Sequence, residues 1–147
     1  MKKYLLLIMA LLVMLVSCAP KDPLQLNLKD YNQLALHLHP HLDIIINGKN
    51  ITIPANIGHS ETVIRGIHTH DADGIIHVES PVVHQYVLQD FFTVWGKTFN
   101  ETCILEYCVD EKHTLTVTVN GEKSNQYGQI SLHDQDNIQI SYEQKQE

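Results

Sequence analysis

Two stretches of the chain alternate apolar and polar positions about a central Asn-Gly pair. "LDIIINGKNITIP", residues 42–54, is β-branched on both sides of Asn47-Gly48, and "TLTVTVNGEKSNQYG", residues 114–128, alternates Thr with apolar residues up to Asn120-Gly121. Period-two alternation suits a half-buried strand, and Asn-Gly is the strongest two-residue hairpin cue because both positions of that turn need left-handed backbone. Both stretches predict hairpins, and "NIQISY" (137–142), after the turn residues "HDQD", predicts a last strand. The period changes once. In "VLQDFFTVWG" (87–96), Leu88, Phe91, Phe92 and Trp95 recur at i, i+3, i+4 and i+7, with Gly96 placed to end a helix. Such a stripe is a face to be packed on a sheet rather than a ligand pocket. The expected fold is α+β, a β-hairpin-rich domain with one or two helices packed on a sheet.

The start of the chain follows a different rule. Lys2 and Lys3 precede an unbroken apolar run from Leu5 to Val16, the length of a secretory h-region and short for a membrane span. The run ends in "LVSC" (15–18), which resembles a bacterial lipobox. The resemblance implies a signal peptide at 1–17, cleavage before Cys18, and lipid acyl groups such as palmitate on that residue's thiol and new amino group. Ala19 rather than Asp after the cysteine favours the outer membrane in a Gram-negative cell, facing the periplasm or the cell surface. "APKDPLQLNLKDYNQ" (19–33) then reads as part of a tether at 18–33, followed by one globular histidine-rich domain at 34–147.

Composition narrows the partners. The chain has 10 Lys and Arg against 17 Asp and Glu, and loss of Lys2 and Lys3 leaves eight basic residues, a net charge near −9. So acidic a domain argues against nucleic acid or anionic lipid and suits a cation. Of three cysteines, Cys103 and Cys108 remain after lipidation, a candidate disulfide in an oxidising envelope. All three methionines (Met1, Met9, Met14) lie in the signal segment, so the mature chain offers no thioether to Cu(I).

The candidate chemistry lies in the histidines, eight of the ten falling between 37 and 84. If "THDADGI" closes tightly over Asp71 to Gly74, His70 pairs with Ile75 and His68 faces His77 across a hairpin. His70 and Glu79 then share that face, with Gly66 leaving space opposite Glu79. Opposed Cβ atoms about 5 Å apart allow two imidazoles to converge on one ion. In "HLHPH" (37–41), an extended chain puts His37, His39 and His41 on one face, with Pro40 suggesting an edge or bulge and Asp43 placed to orient a ligating ring. The candidate metal set is His39, His41, His68, His70, His77 and Glu79, with His37 on the margin. His59, His84, His113 and His133 read as ordinary surface or turn residues. "DADG" is not a calcium loop, since its fifth and twelfth positions would be Ile75 and Val82.

"HPHLDIIINGKNITIPANIG", "IHTHDADGIIHVESP" and "LQDFFTVWG" together resemble a family of small exported or membrane-anchored prokaryotic domains marked by HxH…HTHD…H and FFxxWG. The resemblance spans residues 39–142 and implies His39, His41, His68, His70 and His77 as the shared polar set, without a settled activity. Members often carry a cysteine shortly before HTHD, where this chain has Val63-Ile64-Arg65, so the resemblance does not extend to a thiolate ligand at that place. "TVTVNGE…ISLHDQDNIQISY" is similar to the closing strands of β-grasp domains, so the C-terminal half is expected to be β-grasp-like. With "KQE" in place of a terminal Gly-Gly, a sulfur-carrier role does not follow.

Imidazole beside carboxylate suits Cu(II), Zn(II) or Ni(II), with Cu(II) or Zn(II) the expected ion and the stability order tilting towards copper. Three functions follow. The first is an envelope lipoprotein that sequesters, buffers or delivers a divalent transition metal. The second is a small metalloenzyme in which three histidines activate water with Glu79 as general base, although there is no HExxH and no nucleophile elbow. The third is an interaction module for an envelope protein partner, with pH-sensing histidines as a variant.

Overall fold

The computed structural model describes residues 22–145. The apolar run at 5–16 and Cys18 lie outside the described residues. In chain order the strands are β1 (Leu36–Leu38), β2 (His41–Ile46), β3 (Lys49–Ile51), β4 (Ile67–His68), β5 (His77–Ser80), β6 (Cys103–Ile104), β7 (Tyr107–Cys108), β8 (His113–Val119), β9 (Glu122–Ser124) and β10 (Asn137–Gln144). One α-helix among these residues, α1 (Leu88–Trp95), completes an α+β fold.

The two Asn-Gly pairs do what their chemistry dictates. Asn47, Gly48, Asn120 and Gly121 all have positive φ, turning β2 into β3 and β8 into β9. The two hairpins flank β10, giving a five-stranded sheet in the order β3-β2-β10-β8-β9. β10 runs parallel to β2 and antiparallel to β8. Alternation sorts the side chains: Leu42, Ile44 and Ile46, Ile138, Ile140 and Tyr142, and Leu115 and Val117 are all buried in one core. α1 presents Leu88, Phe91 and Phe92 to the same core, fully buried, while Trp95 is half-buried at its end. Its first turn is held by the Asp90 carboxylate, which accepts from the Val87 N–H at 2.9 Å, and Gly96 ends it in the left-handed conformation. Cys103 and Cys108 face each other across β6 and β7 and are disulfide-bonded.

A second, three-stranded antiparallel sheet, β1-β5-β4, closes the core from the other side with Ile67 and Val78. The chain leaves it for the large sheet at Pro40. Having no N–H, Pro40 cannot continue a ladder. On either side, the His39 N–H donates to Asp134 Oδ1 at 2.8 Å and the His41 N–H to the Asp136 carbonyl at 2.7 Å. The single strand expected over 37–41 is therefore two strands in two sheets. The segment expected as a tether also differs. From Asp22 onward it packs on the body, burying Leu26 and Leu28, while Asn27 accepts from the Ile64 N–H and donates to the Thr62 carbonyl.

Candidate metal centre

The three-stranded sheet is apolar on one face and histidine-rich on the other. On β5, Val78 and Ser80 point into the core, which turns His77 and Glu79 outward. On β4, His68 lies directly opposite His77, and on β1, His37 lies opposite Glu79. His39 and His70 follow β1 and β4 and complete the row. Neighbouring ring centroids are 4.6 Å apart for His37–His39, 4.8 Å for His39–His77, 4.5 Å for His77–His70 and 4.8 Å for His70–His68. The face gathers residues as far apart in sequence as His37 and Glu79, brought together by strand pairing.

Within this row two trios can each hold a metal ion: His37, His39 and His77, and His68, His70 and His77. In each, one ligand atom per residue lies within 4.8 Å of the others. His68 is the best prepared. Only 1% exposed, it donates its Nδ1–H to the Arg65 carbonyl at 2.9 Å, which leaves the Nε2 lone pair facing the row. That atom sits 3.2 Å from His70 Nε2. Two nitrogens on a tetrahedral ion with bonds of 2.0–2.1 Å are about 3.3 Å apart, so this pair is at ligand spacing. Burial, and secondarily the neighbouring His70, pushes the His68 pKa down to about 4, and burial likewise lowers that of His77. His68 is therefore uncharged at neutral pH, and an ion would displace no proton from it.

Carboxylates stand behind the row. Glu79 Oε1 is 3.1 Å from His37 Nε2, and Asp134 Oδ1 is 3.6 Å from His39 Nδ1. Contacts of this kind fix ring orientation and raise ligand basicity.

The remaining sequence candidates fall elsewhere. His41 enters the five-stranded sheet with β2, its Nε2 2.9 Å from the Asp73 carbonyl and its Nδ1 3.6 Å from Asp43, and it belongs to neither trio. The tight turn pairing His70 with Ile75 is replaced by a wider loop. Residues 74–76 turn away to the start of the large sheet: Leu42 N–H donates to the Gly74 carbonyl, Ile76 N–H to the Pro40 carbonyl, and Ile75 bridges to His41. The place opposite Glu79 is also filled, since a Cβ on Gly66 would meet the Tyr86 hydroxyl at 2.6 Å. His113 and His133 each pair with a local aspartate, Asp110 and Asp136, away from the row.

One residue at the row was missed from sequence. His59, on the loop before β4, places its ring 5.2 Å from that of His70 and 6.0 Å from that of His68. A lone histidine in a loop carries no local signal of this. It is delivered by Thr69, fully buried, whose hydroxyl donates to the Pro54 carbonyl at 2.8 Å and accepts from the Ile57 N–H at 3.0 Å. Gly58 then lies so close to the Ile67 carbonyl that a Cβ would be 2.6 Å from it. Thr69→Val, equal in shape but without the hydroxyl, strands a buried N–H and carbonyl. It should cost about 1–3 kcal/mol in urea unfolding and let His59 leave the row.

Comparison with protein-family models, with curated proteins and with solved structures finds no match for this chain. The site itself is the basis for a functional reading.

Proposed function

We propose that this chain binds a divalent transition metal, Cu(II) or Zn(II), on its histidine row and serves to sequester, buffer or deliver it. The observation that carries the reading is the convergence of two histidine trios on one sheet face, one of them anchored by a buried, neutral His68. The donor chemistry supports a nitrogen-loving ion. Cys103 and Cys108 are bonded to each other, and no methionine falls among the described residues, so neither thiolate nor thioether competes for a soft ion there. The row is open at its His37 end and along it at His70, both exposed, and closed at His68, which favours exchange of the ion with a partner over permanent structural use. Glu79 stands against His37 rather than beside His68, which favours a binding role over that of a hydrolytic base.

In this reading the protein is a lipid-anchored envelope protein, held through Cys18 as the lipobox-like segment implies, and the family resemblance across 39–142 belongs to the same proposal. The strand order β3-β2-β10-β8-β9, with a parallel central pair, supports a β-grasp-like reading of the large sheet.

The test is elemental analysis and titration of the untagged protein with Cu(II) and Zn(II). Tight, stoichiometric uptake is expected, lost in His77→Ala, which removes the ring common to both trios, and kept in His113→Ala. Absence of tight binding in the unaltered chain, or equal loss in the two variants, would overturn the assignment.

A further inference from the structure

His77 belongs to both trios, and the residues divide evenly about it. On one side stand His37 and His39 with the Glu79 carboxylate against His37; on the other stand His68 and His70 with His59 beside them. The two sides differ in exposure. His37 is exposed and His39 half-buried on one side; on the other His70 is exposed and His68 is sealed at 1% exposure. The ring of His77 is nearly perpendicular to both inner neighbours, at 89° to His39 and 79° to His70, so each meets it edge to face or edge to edge rather than in a stack.

An imidazole carries two nitrogens whose lone pairs diverge in the ring plane, and each is a metal ligand in its own right. A single ion would use one of them and leave the far trio idle. Two ions, one on each side, use both, and every histidine of the row then has a role. We infer that the histidine row is a two-ion centre in which His77 links the ions through its two ring nitrogens. His37 and His39, backed by Glu79, complete the outer place, and His68 and His70, with His59 nearby, complete the inner one. The proton on one His77 nitrogen passes to solvent as the second ion binds, so no other reactant is needed. The outer place, which has no sealed ring, is the one from which an ion exchanges. The inner place, closed by His68, is the one that retains it. This inference rests on the metal-binding reading above and deepens it by fixing the number of ions and their linkage.

The experiment is a Cu(II) titration of the untagged protein read by elemental stoichiometry and by electron paramagnetic resonance. Two ions per chain are expected. The signal should grow with the first equivalent and change shape or fall with the second, as the two spins couple through one ring. The double variant His37→Ala/His39→Ala should bind one ion with an uncoupled signal, as should His68→Ala/His70→Ala. Circular dichroism of each variant verifies the fold, and the His37/His39 pair is exposed enough to be replaced without loss of core. Tight binding of a single ion by the unaltered chain would overturn the two-ion centre while leaving the metal-binding function standing. No tight binding would remove both. Two ions without spin coupling, or two ions retained by His77→Ala, would show that His77 does not link them.

Discussion

Metal-free protein should lose about 3 kcal/mol of stability between pH 6.5 and pH 4 from one buried ring, most of it above the range in which carboxylates titrate. The source is His68, whose pKa is pushed from 6.5 down to about 4 by burial and by its neighbour His70. Above pH 6.5 the ring is neutral in both folded and unfolded chains and contributes no pH dependence. As pH falls through 6.5 the unfolded chain takes up a proton that the folded one refuses, so the unfolded state gains. The loss grows by about 1.4 kcal/mol per pH unit and levels off once the folded-state ring also titrates near pH 4. His77, lowered in the same direction, adds to it. Urea unfolding at half-unit pH intervals measures the slope. In His68→Gln, which cannot titrate, most of the slope should vanish; an unchanged slope would place its origin elsewhere. With metal bound, acid should act more steeply, because protons then compete with the ion for every ring of the row.

Phe92→Ala should cost about 3–5 kcal/mol, a large share of the 5–15 kcal/mol that holds a domain of this size. Phe92 is fully buried, its ring centroid 4.7 Å from that of Phe99 and 5.8 Å from that of Phe91. Rings crowded from several sides cannot collapse into the space a lost phenyl leaves. The effect should reach the histidine row, since α1 lies against β4, and Val94 on the same helix touches the place of Gly58 in the His59 loop. Equilibrium unfolding gives the stability loss, and a zinc titration of the variant should show weaker binding in step with it. A loss below about 1 kcal/mol would mean the core repacks there.

The parts of the molecule governed by neighbouring residues could be read in advance. The Asn-Gly turns, the helix stripe and its terminating Gly96 depend on conformations set within a few positions. The pairing of His68 with His77, counted from a tight turn over Asp71 to Gly74, holds although that turn does not form, because strand register survives a change in the loop beyond it. What escaped depends on distant chain. Pro40 pointed to an interrupted strand, but only the acceptors Asp134 and Asp136, more than 90 residues on, decide that the interruption carries His41 into the other sheet. The same switch exposes the Pro40 carbonyl to Ile76 and opens the loop expected to be tight. His37 gains its place from Glu79, and His59 from Thr69, neither of which its own surroundings announce.

Among the described residues, the last strand in chain order is the middle of the large sheet. β10 joins β2 to β8, so Leu42 meets Ile138 across nearly a hundred residues. Closing so long a loop must precede any reward from the pairing, and domains dominated by such distant contacts fold slowly. A chain growing or threading from its amino end therefore has two separate hairpins and no sheet to join until residues 137–144 arrive. The five-stranded sheet is thus assembled last and from its centre, so a chain cut before residue 137 should keep its two hairpins but lose the ladder that joins them.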